Sequence, residues 1–200
     1  MIGIGAPAQI ILVYSRLRAL LRRLRTERGG HAAVEFGMVV LPFFAIIFAV
    51  LEIAFLFMTG QALDTSLDEA ARLLLTGQAQ TSSGSGAINS MSTFLNLALC
   101  PKLPAIISCT NAGTLGYLQV NVAQITSFTN ANLGAPISNG VLDTSSWGYT
   151  PCTSGQIMKV EAVYPVAALT SFWTSANTVT LNGIKQRVLY SSTVFRCEPF

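Results

Sequence analysis

Gly30-His31-Ala32-Ala33-Val34-Glu35-Phe36 stands at the junction between a basic stretch and a long apolar run. The run from Phe36 to Met58 contains one ionisable group, Glu52. At about 1.5 Å rise per residue, a helix of that length crosses the roughly 30 Å core of a bilayer. Arg16, Arg18, Arg22, Arg23, Arg25 and Arg28 all precede it. That bias predicts a cytoplasmic amino terminus and export of everything beyond the span. A glycine just before the helix and a carboxylate five residues after it point to processing on the cytoplasmic side of the span, between Gly30 and His31. A secretory signal would instead be cut beyond its apolar core, and no Ala-x-Ala-like site is evident after Met58. The competing reading is an ordinary anchor helix that happens to begin with Gly and Glu.

Outward from this junction, composition agrees with a membrane-anchored exported protein. The 200 residues are 51% hydrophobic and only 10% charged, too apolar for an ordinary soluble domain. There is room for one anchor and one small domain. The net charge of +3 is an uneven sum, because residues 1–30 carry six arginines against Glu27 and everything from His31 onward is net negative. The basic balance therefore belongs to the membrane flank and does not suggest a nucleic-acid partner. Cys100, Cys109, Cys152 and Cys197 all lie beyond the span. An even count on the oxidising side predicts two disulfides, with three connectivities open from the count alone. A short loop over Pro101 and Pro104 favours Cys100–Cys109, which leaves Cys152–Cys197 to tie a long irregular segment to the end of the chain.

Four regions follow: a basic leader at 1–30, a transmembrane and stalk helix at 31–76, a flexible linker at 77–89, and an exported α+β domain at 90–200. In the leader, Ile10 to Val13, Leu17, Leu20, Leu21 and Leu24 interleave with arginines, a weak amphipathic pattern for the inner-leaflet surface. The helix outlasts the bilayer: Leu63, Leu67, Ala70, Ala71 and Leu74 recur at helical spacing, with Asp64, Asp68, Glu69 and Arg72 on the other side. Asp68 and Arg72 stand at a favourable i,i+4 spacing. Pro42 predicts a kink, Gly60 a second weak point, and Gly77 a C-cap. A Gln/Ser/Gly/Thr linker from Gln78 to Ala87 has nothing to bury.

A short helix is expected from Ser90 to Cys100, with Phe94, Leu95 and Leu99 on its apolar side. Tyr117 to Val122 alternates as a half-buried strand with Leu118, Val120 and Val122 on one face. Residues 127–155 read as a long irregular stretch. In Ile157–Tyr164, Met158, Val160, Ala162 and Tyr164 share a face opposed by Lys159 and Glu161. In Gln186–Cys197, Val188, Tyr190 and Val194 oppose Leu189, Ser191, Thr193 and Phe195. Asn182-Gly183 is a turn signal, with Thr178–Leu181 as hairpin partner to the last strand. The fold class is α+β: a long N-terminal helix followed by a small domain with a mainly antiparallel sheet.

With these elements in place, the chain resembles the TadE-like proteins, pseudopilins of the tight-adherence (Flp) pilus apparatus. The residues that carry the likeness begin with Arg28-Gly29-Gly30-His31-Ala32-Ala33-Val34-Glu35-Phe36. They continue through Gln61-Ala62-Leu63, Asp68-Glu69-Ala70-Ala71-Arg72 and Thr76-Gly77-Gln78-Ala79. Distal matches are Cys100 to Cys109, Ala162-Val163-Tyr164-Pro165 and Phe195-Arg196-Cys197-Glu198-Pro199-Phe200. Two departures point to a minor pseudopilin over the main filament subunit. Classical type IV pilins place Phe directly after the cleaved glycine, where this chain has His31. Flp major pilins usually read Glu-Tyr and end soon after the helix, whereas here Glu35-Phe36 opens a much longer chain. The resemblance implies cleavage at Gly30–His31 by a prepilin peptidase, pilins and other pilus assembly proteins as partners, and residence in the bacterial inner membrane with the C-terminal domain periplasmic, or incorporation in a pilus.

Glu35 with Phe36 forms the expected subunit-pairing motif. The Glu35 carboxylate can pair with the new amino terminus at His31 of a neighbouring subunit, or it can simply sit among head groups at the positive end of the helix dipole. Glu52 is an intramembrane acid 17 residues further on. At about 100° per residue that separation leaves about 260° beyond whole turns, so the two acids do not form one stripe. Such an acid usually faces protein or a polar cavity, yet this one is close enough to Met58 to lie at the outer interface. Catalysis is not expected: His31 is the only histidine, and there is no Cys-x-x-Cys, Walker loop or Gly-x-Ser-x-Gly elbow. No pattern joins Asp143, Glu161 and Glu198. No cofactor, metal or small-molecule substrate is predicted. A permanently anchored periplasmic binding or scaffold protein is the competing function.

Overall fold

The structure, a computed structural model, describes residues 31–81, 87–167, 178–181 and 183–199. The leader with Gly30, most of the linker, Asn182 of the expected turn and Phe200 lie outside the described residues. The chain divides into two compact units, Met1–Leu51 and Glu52–Phe200.

In the first unit, the described residues belong to helix α1 (His31–Leu75), which continues into the second. Helical structure runs through Pro42 and Gly60 without interruption. Helix α1 ends where expected, with Gly77 in the left-handed region at φ +72°, a conformation that favours a residue without Cβ. One short helical turn follows, α2 (Gln78–Thr81), within what composition suggested was linker throughout.

The second unit is built around a four-stranded antiparallel sheet of order β1-β4-β6-β5. Its strands are β1 (Gln119–Ile125), β4 (Ile157–Ala167), β5 (Thr178–Leu181) and β6 (Ile184–Arg196). A small hairpin of β2 (Ile137–Ser138) and β3 (Val141–Leu142) stands apart from it. The antiparallel α+β fold expected from the sequence is the fold observed.

Register explains why one face is apolar. Val122 lies opposite Val160, which lies opposite Thr193; Val120 opposes Ala162, which opposes Ser191. Successive side chains alternate across the sheet, so Leu118, Val120, Val122, Met158, Val160, Ala162 and Phe195 enter one core together with Leu63, Leu67, Ala70, Ala71 and Leu74 of α1. The heptad-like spacing of the stalk is thus the sheet-facing stripe of the helix. Each fully buried Leu or Val contributes about 1.5–3 kcal/mol relative to exposure.

The short helix differs from the regular α-helix expected over 90–100. It starts as α3 (Met91–Thr93), widens to a π-helix at Phe94–Leu99 and tightens to a 3-10 turn at Cys100–Lys102. Ser90 and Thr93 cap its start reciprocally. The wide turn buries Phe94, Leu95, Ala98 and Leu99 together, and Pro101 sits in the first turn of the 3-10 segment, where a missing N–H is harmless.

The long segment 127–155 is not irregular throughout. Asn139 and Gly140, at φ +52° and +75°, form the turn of the β2–β3 hairpin. Asn-Gly is the strongest short hairpin signal, because both central residues take positive φ. Further on, Val122 N donates to Gly148 O and Thr150 N to Val122 O, both at 2.8 Å, so this segment closes the edge of β1. A second cluster of Leu142, Val163, Val179, Leu181 and Val188, with Trp147 and Tyr190 against it, fills the space beneath.

Both disulfides take the pairing favoured by the sequence, Cys100–Cys109 and Cys152–Cys197, with Cα separations of 5.8 and 6.3 Å. Beside the second, Cys197 N donates to Gln156 O and Gly155 N to Cys197 O, while Glu198 N donates to Leu75 O at 3.0 Å. The end of the chain is thereby fastened to both the 152–156 loop and the end of α1.

Candidate functional site

Two surfaces stand out, one on the apolar part of α1 and one on the far face of the sheet. In the first unit, Val34, Phe36, Met38, Val39, Leu41, Phe43, Phe44, Ile46, Phe48 and Val50 are exposed, Phe36 by 69%. Exposed apolar residues continue in the second unit with Ile53, Phe55, Phe57 and Met58. Exposed apolar residues at this density are unstable in water and need lipid or other apolar helices around them. Helix α1 has the length and composition of a membrane span.

At the start of that surface, His31 Nδ1 lies 2.9 Å from Glu35 Oε1, both side chains well exposed. The i,i+4 spacing brings the imidazole over the carboxylate on one helix face. Glu35 thus has a partner within its own chain, which sequence reasoning overlooked by treating His31 only as a new amino terminus. Phe36 projects with the other exposed apolar residues and Glu52 is buried, with 8% exposure. Lower on the helix, Thr59 Oγ1 donates to Phe55 O, Ser66 Oγ donates to Lys102 O, and Glu69 pairs with Lys102 at 3.4 Å. Among the described residues, no ion pair joins Asp68 to Arg72, contrary to expectation. Both are exposed, and hydration there competes with a contact worth little.

The far face of the sheet holds a polar network that the strand pattern did not disclose. Lys159 and Glu161 were expected to be a polar face opposite the core, yet Glu161 is only 3% exposed. Asn121 Nδ2 and Lys159 Nζ both donate to its Oε2 at 2.9 Å, and Tyr190 OH donates to Oε1 at 2.8 Å. Asn121 Oδ1 accepts from Gly148 N, and Lys159 Nζ also donates to Asn132 O. Register causes the meeting, since Asn121 opposes Glu161 and Gln119, Val163 and Tyr190 share the adjacent row. Burial raises the Tyr190 phenol far above its ordinary value; a hydrogen bond with Ser192 opposes it, and the hydrogen bond to Glu161 and then the Glu161 charge add smaller upward effects. On the core side, burial pushes the Tyr149 phenol up to about 12 while its OH donates to Ile88 O. Asp143, at the surface, is held below its usual value by hydrogen bonds from the Ser145 side chain and backbone.

A cavity of about 400 Å³ opens over this network, bordered by Asn132, Asp143, Ser146, Trp147, Lys159 and Glu161 among others. The sequence did hold a signal for it: polar residues at alternate positions of three strands, beneath a long segment containing Trp147. Of the residues expected to be functional, Glu35 and Phe36 lie on the apolar helix, the four cysteines staple the second unit, and Gly30 falls outside the described residues. No group of three or more metal-ligating side chains occurs among the described residues.

Residues 30–72 match the family model described as TadE-like protein, the family that the sequence resembles. The match covers the opening motif and α1 as far as Arg72; the distal domain lies beyond it. It links this segment to pilus assembly in the tight-adherence system, where members act as structural components and not as enzymes. No curated protein and no solved structure matches the chain.

Proposed function

We propose that the chain is a TadE-like minor pseudopilin that takes part in assembly of tight-adherence (Flp-type) pili at the bacterial inner membrane. The observation that carries the reading is the Gly30–Phe36 motif at the head of a helix whose large apolar residues are exposed, within the segment matched to that family. The helix anchors the protein in the bilayer with its amino terminus cytoplasmic. Other pilin helices pack on the same apolar surface, while the disulfide-stapled domain, in the periplasm, primes or caps assembly. Prepilin peptidase cuts between Gly30 and His31, and the freed amino terminus meets Glu35 of a neighbour.

The permanently anchored scaffold or binding protein has one observation in its favour. Glu35 already lies 2.9 Å from His31 Nδ1 within the same chain, so its carboxylate has a hydrogen-bond partner without a neighbour. Amino-terminal sequencing of the protein isolated from membranes of its own host separates the two. The pseudopilin begins at His31, and Gly30→Leu retains the leader because a bulky side chain crowds the peptidase. An intact Met1–Gly30 segment in the native protein would sink the processing reading.

A further inference from the structure

The cavity on the far face of the sheet has the chemistry of a ligand site that owes nothing to pilus assembly. Its volume of about 400 Å³ lies within the range of small-molecule pockets, roughly 300–1,000 Å³. Its floor is rigid. Glu161 and Asn121 are fixed by each other, and Tyr190, Lys159 and Gly148 hold them from outside. Groups held this way need little ordering when a ligand arrives.

Charge narrows the ligand class. Lys159 and Glu161 neutralise each other at 2.9 Å, which leaves Asp143 as the unbalanced charge at the border. Hydrogen bonds from Ser145 keep that carboxylate ionised. An anion is repelled at the border. A neutral ligand avoids that penalty, and further in the Lys159–Glu161 pair presents no net charge.

The unused hydrogen-bonding groups narrow it again. Lys159 Nζ donates to Glu161 and Asn132 and has a third N–H to give. Asp143 uses Oδ1 for Ser145 and keeps Oδ2 without a partner among the described residues. The Ser146 hydroxyl both donates and accepts. A strong donor, a strong acceptor and an amphoteric group together suit a row of hydroxyls, each of which can do both. Trp147 borders the same cavity and, partly buried against the neighbouring apolar cluster, adds an aromatic side chain to its lining.

We propose that this cavity binds a neutral saccharide through Asp143, Ser146, Lys159 and Trp147. The saccharide is either a free monosaccharide or a unit of a glycan. Saturation-transfer NMR on the full chain in phosphocholine micelles, which contain no glycoside, tests it. The probes are glucose, galactose and N-acetylglucosamine, with sodium phosphate and arginine as charged controls. Transfer to at least one sugar is expected, with binding at least tenfold weaker in Asp143→Asn and lost in Ser146→Trp, which fills the cavity. Because Asp143 is exposed and Asn matches its shape, that variant folds even where the larger one does not. Tetra-N-acetylchitotetraose binding tenfold tighter than the monosaccharide identifies a glycan unit, and equal binding a free sugar. No transfer to any of these saccharides, preference for phosphate or arginine, or unchanged binding in Asp143→Asn overturns the proposal.

Discussion

Removing the Glu161 carboxylate leaves the Asn121 amide, the Tyr190 hydroxyl and the Lys159 ammonium facing one another where little water reaches. Breaking a buried charge pair by deleting one partner costs about 3–5 kcal/mol, mostly from the stranded charge. Glu161→Ala should therefore lower the stability of the full chain in micelles by about that amount, read by denaturant unfolding. Glu161→Gln should cost less, because the amide oxygen still accepts a hydrogen bond. Two half-buried phenols, Tyr149 and Tyr190, contribute to the alkaline limit. Their folded-state pKa values stand above the ordinary 10, Tyr149 at about 12 and Tyr190 higher still. Burial favours the protonated form, so the native state keeps a proton that the unfolded chain gives up first. Their contribution is complete below pH 10 and is lost as pH rises from 10 through the folded values. Strand circular dichroism should hold to about pH 10 and then fall cooperatively. Phenolate absorbance from Tyr149 and Tyr190 should appear with that fall; reversible titration of all tyrosines near pH 10 in a folded protein would count against it.

At the scale of the element, α1 is two helices in one chemical sense. Its first half carries apolar residues on every side and its second half a single stripe facing the sheet. Leu67, with 0% exposure, belongs to the stripe, and Leu67→Ala should cost about 2–5 kcal/mol through lost burial and the cavity left behind. Val39→Ala, on the exposed surface, should leave unfolding of the second unit unchanged while altering the helix's fit to lipid or neighbours. Thermal melts of both variants followed by near-UV dichroism check the contrast. The Cys152–Cys197 bridge joins elements that would otherwise meet only across a 45-residue separation. The paired substitution Cys152→Ser, Cys197→Ser should cost about 2–4 kcal/mol, because the unbridged unfolded chain is freer. It should also release Glu198 from Leu75, visible as faster amide exchange at the end of α1.

At the scale of the whole molecule, the arginine bias ahead of the span predicts a cytoplasmic leader and an exported domain. Alkaline phosphatase fused after Phe200 should be active and a cytoplasm-only reporter silent; the reverse pattern refutes the orientation. Glu35→Gln should leave the second unit folded and the helix inserted, yet reduce surface pili counted at equal protein level. Registration between subunits loses its charge, and the exposed intrachain contact with His31 becomes a neutral one. Normal piliation in that variant would remove the pairing role and strengthen the anchored-scaffold reading.

Features that depend on neighbours along the chain were legible in the sequence. The apolar run, the stalk stripe from Leu63 to Leu74, the Gly77 cap and the inward faces of β1 and β4 follow from local sequence signals, whereas β6 packs on both faces. The Asn139-Gly140 turn went unread, because the polar composition around it concealed the hairpin. Only the tertiary structure decided the rest. Strand order and register brought Asn121, Lys159, Glu161 and Tyr190 into one network, and the segment carrying Trp147 closed over it. A strand pattern distinguishes its two faces but does not say that the polar one is covered. The π-helical turn at Phe94–Leu99 and the His31–Glu35 contact likewise answer to packing and side-chain geometry. Local periodicity records which groups avoid water; long-range pairing determines which polar groups are buried together and what they enclose.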